Sequence, residues 1–115
     1  MQDEQNYSNL RQYYRIRYPY SYRPKVTISC DDYESEAVEL SEWGVRFLYE
    51  GISRLHVGLA LKVTIIFDDG ESYELAGEIL RVEYKDVIVR FSDSLPLSRI
   101  IKEQIHLRNN FIGHM

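Results

Sequence analysis

The chain predicts a mainly β fold: a small antiparallel barrel or closed sheet of six short strands, ending in one α-helix. Three observations predict it. Short runs rich in β-branched and aromatic residues recur between residues 25 and 91, separated by turn-forming polar clusters. The stretch "DDG" at Asp68–Gly70 interrupts two apolar runs as a hairpin turn would, with Gly70 free to take positive φ. Beyond residue 95 the apolar spacing changes from alternation to a helix-like stripe.

The elements follow in order. Residues 1–10 are polar and aperiodic, and residues 11–25 interleave cations with tyrosines around Pro19 and Pro24. Proline biases its predecessor toward extended geometry, so residues 1–24 read as a mobile, irregular or extended arm. "KVTISC" (25–30) and "SEAVEL" (35–40) are short strands across the turn "DDYE", and Cys30 within its apolar run reads as a core residue. "GVRFLY" (44–49) and "LKVTIIF" (61–67) follow. "ESYELAGEILRVE" (71–83) is a long strand in which Gly77 marks a bulge or tight bend, and "DVIVRF" (86–91) pairs back across Tyr84–Lys85. Leu97, Ile100, Ile101, Ile105 and Leu107 form the stripe of a helix over residues 96–111, ending at Phe111. Pro96 suits its first turn and Gly113 its stop, and the helix packs across the barrel or against a partner. The whole reads as one domain of residues 1–115, with the barrel spanning 25–93.

Composition narrows the function. The first ten residues lack the basic and apolar regions of a secretory signal, and no run approaches the roughly 20 apolar residues of a membrane helix. With the single cysteine, this points to a reducing cytoplasm and to no membrane insertion. A net charge of −4 argues against broad attachment to nucleic acid or anionic lipid, yet leaves room for a local cationic site. His56, His106 and His114 hold no metal-ligand spacing to one another or to Cys30. No serine sits in a nucleophile elbow, and no Gly-rich loop cradles phosphate. The pattern is that of a binding protein with no catalytic residues, metal or cofactor.

The acidic chain nevertheless gathers four arginines, a lysine and five tyrosines in "NLRQYYRIRYPYSYRPK" (9–25). Arg11 and Arg15 stand four apart, on one face of a helix or a strand. Their Cα atoms would be about 13 Å apart in a strand or about 6 Å on a helix, so the side chains can converge on one ligand. Arginine suits phosphate through its planar fork and purines through stacking and the O6/N7 edge. Loose pairing of a solvated arm with nearby carboxylates is the plainer alternative. The tyrosines read mostly as rings laid against the barrel with wet hydroxyls.

A second cluster is "ELSEWG" (39–44), at the end of one strand and the start of the next. The Glu39 carboxylate can accept both donors of a guanine edge, Ser41 can donate or accept, and Gly44 permits positive φ and close approach to the backbone. The plainer alternative is a hairpin in which Ser41 and Gly44 only turn the chain. Trp43 reads as core or rim.

Taken in order, "RQYYR" and "ELSEWG" resemble the RxxxR and (D/N)xSxxG motifs of the PilZ domain family, with the barrel and closing helix extending the likeness from Leu10 to about Arg108. The resemblance implies a PilZ-type barrel that binds the bacterial second messenger cyclic di-GMP without catalysis. It implies that Arg11 and Arg15 grip phosphate and guanine as the arm folds over the ligand, and that Glu39, Ser41 and Gly44 hold a guanine. A later-strand residue that stacks on the other guanine would fall near Arg81, which equally fits a solvent-facing strand position. Glu39 departs from the pattern, where Asp or Asn is usual; its extra methylene implies weaker binding. Leu10 in place of a further arginine implies one ligand molecule rather than a stacked pair. An unidentified protein effector of motility, polysaccharide or virulence machinery is the implied partner. Two rivals are an interaction module that has lost the nucleotide and a barrel that binds single-stranded nucleic acid through the arm.

Overall fold

The computed structural model describes residues 15–111. Seven strands form one sheet: β1 (Ile16–Arg17), β2 (Lys25–Ile28), β3 (Ser35–Ser41), β4 (Gly44–Leu48), β5 (Ala60–Ile66), β6 (Ser72–Glu83) and β7 (Asp86–Phe91). Their order is β1-β3-β2-β5-β6-β7-β4, and a β3–β4 pairing closes the ring. The result is a closed six-stranded antiparallel barrel plus one extra strand, with a single helix, α1 (Leu97–Asn110), after it. The predicted fold class is the observed one.

Alternation explains the closure. In β5 the pattern of Leu61, Val63 and Ile65 inward against Lys62 and Thr64 outward keeps one face apolar over the whole strand. Val26, Phe47, Val63, Ile65, Val89 and Ile100 are essentially inaccessible and meet in one core. The turn after β5 holds Gly70 at φ 89°, as its sequence predicts.

The sequence places a bulge or tight bend at Gly77. Instead the register shift in β6 lies between Ile79 and Arg81, and Gly77 pairs regularly with Phe91. Its lack of a side chain answers to crowding, since a Cβ there would lie 2.6 Å from the Arg90 carbonyl oxygen. Cys30, expected in the core, is exposed, because β2 stops at Ile28 and Cys30 lies in the turn beyond it.

Within residues 15–24 the arm is extended or irregular, and part of it pairs with the barrel. Ile16 pairs with Leu40 of β3 and is buried, and Tyr18 is 2% exposed. The pairing itself leaves no periodic signal in the sequence, because the strand is two residues long and lies beside prolines. The Tyr18 hydroxyl is not wet: it donates to Glu103 of α1 at 2.7 Å. Tyr20 is exposed, and the Tyr22 ring packs 4.6 Å from the His106 ring.

Helix α1 sits on the barrel with Ile100 and Leu107 buried, while Leu97, Ile101 and Ile105 of the predicted stripe face outward. Arg99 and Glu103 are buried in their place. Arg99 donates to Glu103 at 3.0 Å and to Asp69 and Glu71 at 2.7 and 2.6 Å, and its guanidinium lies over the Phe67 ring. Those partners on the β5–β6 turn let a charged pair replace an apolar face.

Candidate functional site

The closed barrel turns two cross-strand rows of side chains outward on β3, β4, β7 and β6. Backbone register aligns Arg17, Glu39, Arg46, Ile88 and Arg81 across β1, β3, β4, β7 and β6. The neighbouring row reads Ser41, Gly44, Arg90 and Glu78. Because Gly44 contributes no side chain, the second row has a gap between Ser41 and Arg90. A cavity of about 540 Å³ opens there, within the range of ~300–1,000 Å³ usual for small-ligand sites.

Of the residues singled out in the sequence, Arg15, Glu39, Ser41, Gly44 and Arg81 all line this cavity. Arg11 and Leu10 lie outside the described residues, as do Tyr13 and Tyr14. The two motifs therefore meet in space through Arg15. Its Nε donates to Glu39 Oε1 at 2.6 Å, and its Nη2 lies 2.5 Å from the same oxygen. Glu39 is 6% exposed. Its other oxygen accepts from Arg46 Nη1 at 2.8 Å, with Arg17 Nε at 3.9 Å. One buried carboxylate thus bridges three cations, Arg15 and Arg17 at β1 and Arg46 on β4.

Two readings of individual residues change. Gly44 does not take positive φ, since among the described glycines only Gly58 and Gly70 do. It is required by β7: a Cβ would lie 2.8 Å from the Val89 carbonyl oxygen. Ser41 accepts the Trp43 backbone N–H at 3.2 Å, so its hydroxyl organises the tight β3–β4 hairpin as well as facing the cavity. Trp43 belongs to the rim. Arg81 is exposed and pairs with Glu83 at 2.8 Å.

Sequence reasoning missed Arg46, Asp86 and Arg90, which also line the cavity. Arg46 Nε donates to Asp86 Oδ1 at 2.8 Å, and Arg90 Nη2 to Glu78 at 3.2 Å. The hydrogen bond to Asp86, more than any other influence, holds the Arg46 guanidinium above its ordinary pKa; Glu83 does the same for Arg81. The available signal for Arg46 was its place two residues after Gly44, on the same strand face. Each cavity arginine is therefore paired with a carboxylate, so an incoming anion meets guanidinium groups that are already braced. Among the described residues, no group of three or more His, Cys, Asp or Glu could hold a metal ion. No helix among them is long and apolar enough to cross a membrane.

The small closed barrel thus carries an arginine-lined outer cavity of the size usual for small-ligand sites. A profile of the PilZ domain matches residues 9–106, and the chain belongs to the PilZ domain family, a family of cyclic di-GMP receptors. Among solved structures, it is similar to the Bacillus subtilis inhibitor of motility MotI/DgrA, with a TM-score of 0.64 and 13% identity. That match covers 80% of this chain and 49% of the other, so this chain spans about half the length of MotI/DgrA. It is also similar to the uncharacterized Legionella protein Lpg0364, with a TM-score of 0.51 and 20% identity over 83% of this chain and 94% of that one. At these identities the likeness speaks to fold. No curated protein sequence matches the chain.

Proposed function

We propose that this chain is a non-enzymatic receptor for cyclic di-GMP that folds its N-terminal arm over the ligand and signals to a protein partner in the cytoplasm. One observation carries the reading. Arg15 of the first motif and Glu39 of the second, 24 positions apart in sequence, touch at a cavity that Ser41, Gly44 and Arg81 also line. Phosphodiester oxygens would take the guanidinium of Arg15 away from Glu39, and the freed carboxylate would accept from a guanine N1–H and N2–H₂ edge. Arg11 would supply the second guanidinium, and Arg81 would face the other base. Exchange of one set of charged hydrogen bonds for another supports a receptor that responds to a specific ligand rather than to any anion. Since MotI/DgrA is an inhibitor of motility, motility machinery is one class of partner, beside polysaccharide and virulence machinery.

Calorimetric titration with cyclic di-GMP tests the reading. Micromolar or tighter binding is expected, on the order of −8 kcal/mol. Arg15→Ala should cost at least about 1.5 kcal/mol of it, as a lost charged hydrogen bond does. Full-strength binding by an Arg11→Ala/Arg15→Ala double variant would sink the proposal.

One observation favours a second reading. Both Glu39 oxygens are occupied by Arg15 and Arg46, so a self-satisfied barrel could serve only as a protein-interaction module. Glu39→Asp separates the two: a gain in cyclic di-GMP affinity supports the receptor. Absence of binding in both parent and variant supports the interaction module.

A further inference from the structure

We propose that Arg46 is a further ligand-contacting residue, a third arginine for the phosphodiester that comes from the barrel itself, with Asp86 as its positioning residue. This deepens the receptor reading and rests on it. Arg46 lines the cavity from the middle of β4, side by side with Glu39 on β3 and Ile88 on β7. Carboxylates of both flanking strands brace it, Asp86 through Nε and Glu39 through Nη1, each at 2.8 Å. Those bonds use two of the five guanidinium N–H donors and leave three for phosphodiester oxygens. The side chain remains 38% exposed, whereas the carboxylate beneath it is only 7% exposed, so an anion arriving from solvent meets the guanidinium first.

The position differs from Arg15 in kind. Arg15 is anchored through one carboxylate and precedes a two-residue edge strand, whereas Arg46 stands inside the closed ring. When a guanine edge occupies Glu39, Arg46 loses one of its two braces while Asp86 keeps its fork aimed into the cavity. The freed Nη1 then joins Nη2 in facing the ligand. A cation held in place beforehand loses less conformational freedom on binding than one recruited from an arm.

The test uses the full chain and cyclic di-GMP, read by calorimetry and by Trp43 fluorescence, with thermal unfolding recorded for every variant. Arg46→Gln should weaken binding about tenfold or more, and Arg46→Lys less, because lysine keeps charge without the fork. Asp86→Asn breaks one of the two ion pairs that Arg46→Gln removes and leaves the guanidinium in place, so it should weaken binding only about threefold. Lys62→Gln, on β5 away from the cavity, should bind as the parent does. If Arg46 served structure alone, Asp86→Asn and Arg46→Gln would lose affinity equally, and that result overturns the inference. So does binding by Arg46→Gln within about twofold of the parent, while the receptor reading stands. No binding by the parent overturns both. Should Arg46→Gln fail to fold, Arg46→Lys decides: a loss of about threefold or more supports the inference and unchanged affinity ends it.

Discussion

At the scale of single residues, Glu103 of α1 is a buried carboxylate outside the cavity. It is 2% exposed and gathers Arg99, Tyr18 and Tyr22 around one carboxylate. Burial and then the Glu103 charge push both phenols above the ordinary tyrosine value, Tyr18 well above it. Unfolded tyrosine ionises near pH 10, so above that pH the unfolded chain releases protons that the folded chain retains. Stability from this cluster is complete below about pH 10 and declines as pH rises further. Melting temperatures between about pH 8 and 11.5 should show the decline, and Tyr18→Phe should flatten it while costing about 1–3 kcal/mol at neutral pH. A profile in which parent and variant fall in parallel would show that Tyr18 does not titrate as its surroundings dictate.

At the scale of elements, the strands were legible because alternation and turn chemistry are local. Residues 25–30, 35–40, 44–49, 61–67, 71–83 and 86–91 were expected, and strands stand at each place with ends shifted by at most two residues. What failed depended on other elements. Strand β1 exists only because β3 offers an edge at Glu39 and Leu40. The outward turn of Ile101 and Ile105 follows from Arg99 finding Asp69 and Glu71 on another hairpin. The site divides in the same way: motif spacing singled out Arg15, Glu39 and Ser41, but Arg46 and Asp86 became neighbours only through register. Register also fixes the cost of closing the β6–β7 pair. Gly77→Ala must push a methyl against the Arg90 carbonyl, and should destabilise by about 1–3 kcal/mol in urea unfolding with an unchanged m-value. A neutral Gly77→Ala would mean that β6 and β7 separate more easily than their crowding suggests.

At the scale of the whole molecule, a chain of net charge −4 keeps its arginine cavity on one side of a single ring. A ligand that joins β3, β4, β6 and β7 through one cavity should stabilise the barrel as a unit. At a free cyclic di-GMP concentration one hundred times Kd, unfolding free energy should rise by about 2.7 kcal/mol, in one cooperative transition by fluorescence and circular dichroism. A ligand-dependent rise in only one of the two signals would mean that part of the chain unfolds independently. Closure carries another consequence. Six strands have both edges engaged in the ring, and β1, two residues long, is the terminal strand of the sheet order. A neighbouring polypeptide seeking to add itself by main-chain hydrogen bonds finds almost no template among the described strands, so crowded copies of this barrel should resist fibril growth for as long as the ring stays shut.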